Sequence, residues 1–129
     1  MPTIELDEFK KLLSQALDSC LRLVYEYNNV AKAFNVYLKP IHVVTKKHNK
    51  VYIYVAKYWY RIVKQGNGIK WVYIGSGKPN IPDLPEPPRC AIERIAITVH
   101  NNFVDIDNNL LRALRALASN SSSSADTWA

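Results

Sequence analysis

Over roughly the first quarter of the chain, apolar residues recur every three or four positions; then the period changes. Phe9, Leu12, Leu13, Ala16, Leu17, Cys20, Leu21, Val24 and Tyr27 form one stripe, which predicts an amphipathic helix over residues 7–33. Glu5, Asp7 and Glu8 lie where the positive end of that helix's dipole favours acids. Asn28-Asn29 is the expected end or kink, with residues 30–34 as a last turn. From residue 36 to 63 the chain is instead rich in β-branched and aromatic side chains, which fit a pleated, half-buried surface. A long helix followed by strands makes the chain α+β, and 129 residues suit one core. The expectation is a single domain over residues 1–118. A flexible, serine-rich tail over 119–129 completes the chain.

Three antiparallel strands are expected. The first covers residues 36–45, where Pro40 removes a ladder donor and predicts an edge position or a bulge. Lys46-Lys47-His48-Asn49 is a polar turn, and a long second strand then runs over 51–64. Gln65-Gly66-Asn67-Gly68 reverses the chain, with Asn67-Gly68 as the expected source of positive φ, into a third strand over 69–74. Alternation puts Tyr52, Tyr54, Tyr58 and Tyr60 on one side of the second strand. The other side holds Val51, Ile53 and Val55, then Lys57, Trp59 and Arg61, so the hairpin is expected to project beyond the body.

Residues 75–88 hold five of the seven prolines and show no periodicity, which predicts a stiff, extended surface connection. Residues 88–99 read as a helix begun at Pro88. The alternative is a strand over 95–99 paired with 103–106 across His100-Asn101-Asn102. A last helix over 107–118 is capped by Asp107 or Asn108 and carries Leu110, Leu111, Leu114 and Leu117 on one face. The full expectation is a long N-terminal helix, a three-stranded sheet with a projecting hairpin, and C-terminal helices.

Charge narrows the function. No Asp or Glu occurs between residues 27 and 82, a span holding ten cations, while the flanks carry seven cations against eleven acids. The formal charge of +6 is therefore +10 in the middle and −4 at the ends. Such segregation points to a surface made for a polyanion. The longest apolar run is too short for a membrane span of roughly 18 residues, and the acidic N-terminus does not read as a signal peptide, so a cytoplasmic location is expected. Cys20 falls on the helical stripe and reads as core; Cys20 and Cys90 alone cannot complete a zinc site.

The sequence contains several partial catalytic patterns. Gly75-Ser76-Gly77-Lys78 departs from a nucleotide-binding loop, because Val72 stands where that loop needs a glycine and Pro79 follows the lysine. Lys78 remains a candidate phosphate contact. His42, His48 and His100 lack metal-ligand spacing. Asp105 and Asp107 beside His100 could serve a metal-dependent nuclease, although helix capping explains them equally. The expected protein is therefore not an enzyme and needs no cofactor, with the nuclease as the lesser alternative.

The densest signal lies in residues 51–75, where Tyr52, Tyr54, Tyr58, Trp59, Tyr60, Trp71 and Tyr73 interleave with Lys57, Arg61, Lys64 and Lys70. Cations neutralise phosphates and exposed rings stack on bases. The candidate nucleic-acid-binding set is Lys46, Lys47, Lys50, Lys57, Tyr58, Trp59, Tyr60, Arg61, Lys64, Lys70, Trp71 and Lys78. Within it, Tyr58-Trp59-Tyr60-Arg61, Gly66-Asn67-Gly68, Lys70 and Tyr73-Ile74-Gly75 resemble a tyrosine-rich hairpin of transposase-associated and other mobile-element proteins. Here Ile69 intervenes between the turn glycine and Lys70, and the likeness covers only about 25 residues. It implies nucleic-acid binding through the hairpin. The small size and the Tyr, Ile, Val and Asn content are also similar to small proteins of archaeal viruses. The expected function is non-enzymatic nucleic-acid binding, DNA before RNA, as a viral or mobile-element accessory. A homodimer is compatible with this; a homodimeric interaction or structural protein is the alternative.

Overall fold

The computed structural model describes the backbone of residues 1–128 and the side chains of residues 1–120. The elements in chain order are β1 (Thr3–Glu5), α1 (Leu6–Ala31), a 3-10 turn (Lys32–Phe34), β2 (Val36–Leu38) and β3 (Ile41–Lys46). After a second 3-10 turn (Lys47–Asn49) come β4 (Lys50–Val55), β5 (Trp59–Gln65), β6 (Gly68–Gly75), β7 (Arg94–His100), β8 (Phe103–Ile106) and α2 (Asn108–Trp128). The architecture is α+β, with two sheets where one was expected: a five-stranded sheet ordered β1-β8-β7-β4-β3 and a three-stranded sheet ordered β2-β5-β6.

The chain divides into two compact units. The first comprises Met1–Ser19, Val43–Ile53 and Arg94–Ala129; the second comprises Cys20–His42 and Tyr54–Glu93. Both expected long strands are interrupted, and each break sends the chain from one sheet to the other. The strand expected over 36–45 breaks at Lys39-Pro40, where the proline cannot donate to a ladder. The strand expected over 51–64 breaks at Ala56, which adopts φ 50° in the left-handed region.

In the first unit, alternate residues of the sheet form one apolar face: Ile4, Ile53, Ile95, Ile97, Val104 and Ile106 are buried. The register keeps them together, since Ile4 pairs with Val104 and Ile97 with Ile106. Phe9, Ala16 and Leu17 from α1, with Leu111, Leu114 and Ala118 from α2, complete this core. The helix expected at 88–99 is the β7–β8 hairpin instead, turning at Asn101-Asn102 with Asn101 at φ 51°. Its β-branched run Ile95-Ala96-Ile97-Thr98-Val99 follows strand alternation, a stronger constraint than a proline's tolerance at a helix start. There is thus one C-terminal helix. Asp107 caps it as expected, its Oδ2 accepting from the backbone N–H groups of Asn109 and Leu110 at 3.0 and 3.1 Å. The α2 backbone extends through the serine run that the sequence set apart as a tail; the side chains from residue 121 onward lie outside the described residues.

In the second unit, Val24, Tyr27 and Ala31 give α1 its buried stripe, and the helix passes straight through Asn28-Asn29. Asn28 explains its own position. Its side-chain amide donates to the Leu38 carbonyl and accepts from the Leu38 N–H, both at 2.9 Å, standing in for a neighbouring strand beside β2. Asn35 then closes the 3-10 turn at φ 59°.

The connection over 76–93 is irregular as expected but is held at three points. Leu84 is buried, the Tyr27 hydroxyl donates to the Pro85 carbonyl at 2.7 Å, and Cys90 is disulfide-bonded to Cys20. That bond corrects the reading of Cys20 as a plain core residue: the partner lies 70 positions away, beyond anything local pattern reports. No helix of the described residues is long and apolar enough to cross a membrane.

Candidate nucleic-acid interface

The β2-β5-β6 sheet sorts its side chains by register. Val36 lies opposite Arg61 and Leu38 opposite Trp59, so these four share one face. At the base of that face Val36, Leu38 and Trp59 are buried, with the Trp59 ring meeting the Tyr27 ring edge-on at 6.0 Å. Towards the β5–β6 turn the same face becomes polar, carrying exposed Arg61 and Lys70 beside Val63 and Val72. Both faces are exposed there, as expected for a projecting hairpin.

The opposite face is aromatic. Tyr37 pairs with Tyr60 and Tyr60 with Tyr73, while Ile62 pairs with Trp71 and Lys64 with Ile69. An irregularity of register between Trp59 and Tyr60 leaves Ile74 as the extra residue on β6 and sets this alignment. The rings form a connected series. Tyr37 meets Trp71 edge-on at 4.9 Å, and Tyr73 lies 5.7 Å from Tyr60 and 5.9 Å from Tyr58. Tyr58 continues to Tyr54 at 5.4 Å and to His42 at 4.8 Å. Trp71 and Tyr73 remain 50% and 54% exposed, so their packing leaves about half of each ring available.

Cations border these rings. Lys57 Nζ lies 4.9 Å from the Tyr54 ring centre and 5.8 Å from that of Tyr58, within cation–π range. Lys39 Nζ lies 5.9 Å from the Tyr60 ring centre and 3.0 Å from His42 Nδ1, to which it is placed to donate. Tyr37, Lys39, Tyr60 and Trp71 line a pocket of about 240 Å³. Partial burial, reinforced by the neighbouring phenols of Tyr54, Tyr73 and Tyr60, pushes the Tyr58 hydroxyl above its ordinary value. Burial and nearby Tyr25 do the same for Tyr37. Tyr58 and Tyr37 are therefore neutral near pH 7 and set no negative charge against a phosphate. The three strands contain no Asp or Glu, and the second unit carries nine Lys and Arg against four acids.

Of the twelve residues named from sequence, this unit contains nine, and two of those have other engagements. Trp59 is 2% exposed, so it supports the sheet from beneath and cannot stack on a ligand; its burial follows from sharing a face with Leu38. Lys78 is paired with Glu86 at 2.8 Å. Lys46, Lys47 and Lys50 belong to the first unit, around the turn joining β3 to β4, where Lys46 Nζ lies 5.0 Å from the Tyr52 ring centre. Tyr37, Lys39 and His42 escaped the sequence reading. Alternation on 36–39 does separate Tyr37 and Lys39 from Val36 and Leu38, but only the β2–β5 pairing shows what they stand beside.

Asp105 and Asp107, the nuclease candidates, both hold structural contacts. The Thr3 hydroxyl donates to Asp105 Oδ1 at 2.6 Å, and His100 Nε2 lies 2.8 Å from Asp105 Oδ2. Asp107 is the α2 cap. Among the described residues no group of three or more His, Cys, Asp or Glu is placed to hold a metal ion. Comparison with family models, curated proteins and solved structures gives no match to this chain.

Proposed function

We propose that this chain is a small, non-enzymatic nucleic-acid-binding protein that makes contact through the β2-β5-β6 sheet. One observation carries the reading. A carboxylate-free sheet presents half-exposed Trp71 and Tyr73 on the side where Lys39, Lys57 and Lys64 lie, with Arg61 and Lys70 on the reverse of the same hairpin. Cations beside exposed rings match a polymer that alternates phosphates with planar bases. Tyrosines buried beneath helices would have favoured a scaffold. Here Tyr54, Tyr58 and Tyr60 are only partly covered. DNA is the first candidate ligand, and the hairpin's likeness to mobile-element proteins implies an accessory role in such an element or a virus.

Fluorescence anisotropy with labelled DNA across a salt series tests this. Binding should weaken linearly on a log–log plot, because each neutralised phosphate releases counterions. Charge reversal at Arg61 and Lys64, both on the exposed hairpin, should weaken binding and flatten the salt slope by about one to two units. No binding at low salt would remove the reading; unchanged affinity in the charge-reversed protein would remove the hairpin from the site.

A second reading has its own observation. Leu23 and Val30 lie two turns apart on one face of α1 and are 51% and 48% exposed, which favours a homodimer or a protein partner. Sedimentation of the free protein measures this directly, and a dimer is compatible with nucleic-acid binding.

A further inference from the structure

The two faces of the β5–β6 hairpin differ in a way that bears on which form of nucleic acid is bound. One carries charge and aliphatic side chains: Arg61, Val63, Lys70 and Val72. The other carries rings. Tyr37, Tyr60 and Tyr73 lie in a row across the three strands, and Trp71 packs against Tyr37 at an interplanar angle of 68°. Tyr60 and Tyr73 meet at 63°. Rings packed edge to face stand steeply to one another, so each pair forms a corner with a π face on one wall. Tyr37 and Trp71, one such pair, line an open pocket of about 240 Å³ together with Tyr60 and Lys39.

A duplex has little use for such a pocket. Its base faces are occupied by their stacked neighbours, and it presents phosphates and groove edges, which are read by hydrogen-bonding groups. The pocket offers three rings and one cation. An unpaired strand, by contrast, exposes base faces and phosphates together, and base–ring stacking tolerates any base. The absence of Asp and Glu from all three strands removes the repulsion that a backbone lying across the sheet would otherwise meet.

We infer that the ring face of β2-β5-β6 binds unpaired nucleobases, Trp71 and Tyr60 with Tyr37 seating one base while Lys39, Lys57 and Lys64 meet neighbouring phosphates. This rests on the nucleic-acid reading above and specifies its ligand as single-stranded. Tyr73, exposed beside Tyr60, supplies the next stacking surface along the strand.

The test compares a labelled oligothymidylate with a hairpin duplex of equal length at equal salt, using the full chain and its Trp71→Ala, Trp71→Phe and Tyr73→Ala variants. Circular dichroism first establishes that each is folded; should Trp71→Ala fail, Tyr73→Ala carries the same measurement. The single strand should bind more tightly than the duplex. Loss of one ring should weaken single-strand binding by about 5- to 150-fold. Duplex binding should stay unchanged, and Trp71→Phe should retain most of the affinity. A duplex bound as tightly as the single strand, or ring variants that weaken both ligands alike, would overturn the inference while leaving nucleic-acid binding intact. Failure to bind either ligand at low salt would remove both proposals.

Discussion

Removing the Cys20–Cys90 disulfide is the perturbation with the largest expected effect on stability. The bond closes a loop between cysteines 70 positions apart, with Cα atoms separated by 5.6 Å. In the chain-entropy account, a crosslink of that span restricts the unfolded ensemble by about 4 kcal/mol at 25 °C. The folded chain loses little when the bond is cut, because the Tyr27–Pro85 hydrogen bond and buried Leu84 still hold the connection over 76–93 within the second unit. The Cys20→Ala/Cys90→Ala protein should therefore unfold in urea about 4 kcal/mol more easily than the oxidised protein. A midpoint of thermal unfolding lower by roughly 10–20 °C should accompany it. The oxidised protein treated with dithiothreitol should reproduce both values. The denaturant slope should rise in the variant, since an uncrosslinked unfolded chain exposes more surface. Thiol titration of the denatured, unreduced protein should find no free cysteine. Two free thiols would refute the bond itself. Coincident urea midpoints for oxidised and reduced protein, with no free thiols in the former, would refute the entropic argument.

Asn28→Ala should cost about 2 kcal/mol in urea unfolding, because it leaves the N–H and carbonyl of buried Leu38 without partners. Asn28→Asp, which keeps an acceptor and loses the donor, should fall between; equality of Asn28→Ala with the parent would show that the amide bridge contributes nothing. Gly66 has φ +59° with no atom within 4 Å of an added Cβ, so Gly66→Ala should destabilise by about 1–2 kcal/mol through backbone strain alone, and Gly66→Asn by less. A neutral Gly66→Ala would mean that the turn does not need the left-handed residue. The Thr3 hydroxyl first, with His100 beside it, holds the Asp105 carboxyl below its ordinary value, and Lys78 does the same for Glu86. A carboxyl depressed in the folded state contributes stability above its unfolded pKa and loses it as pH falls through the folded value. Asp105→Asn should accordingly flatten the fall in urea midpoint below about pH 4, leaving the Glu86 contribution; an unchanged acid profile would count against the Thr3–Asp105 contact.

Local signals in the sequence were legible where local physics decides the outcome. The α1 stripe, the Asp107 cap and the reversal near residue 66 each depend on residues within a few positions of one another. Even so, the positive φ of that reversal belongs to Gly66 and not to Asn67-Gly68, since Gln65 pairs with Gly68 and leaves Gly66-Asn67 as the turn. The breaks at Lys39-Pro40 and Ala56 are of a different kind. Residues 36–45 and 51–64 each read as one strand because both are rich in β-branched and aromatic residues, yet each contributes to two sheets. Pro40, which cannot donate to a ladder, marks the first break, whereas the left-handed turn at Ala56 has no such residue to announce it. The disulfide is further out of reach, because two cysteines fix a pairing only after the chain has brought them together.

The candidate site was legible in its composition and not in its geometry, and the residues show why. Charge segregation is additive along a chain, so ten cations without an acid point to a polyanion whatever the fold. Stacking competence is a property of one face. Trp59 and Tyr60 are adjacent and equally aromatic, but alternation sends Trp59 into the core with Leu38 and leaves Tyr60 beside Tyr37. Trp71 gains its role from Tyr37, a residue 34 positions earlier that the hairpin alone does not contain. A motif confined to residues 51–75 therefore omits one wall of the pocket. It follows that Tyr37→Ala in the full chain should weaken binding of a labelled single strand and leave duplex binding unchanged in fluorescence anisotropy; equal affinity of the variant and the parent for the single strand would show that Tyr37 is no part of the pocket.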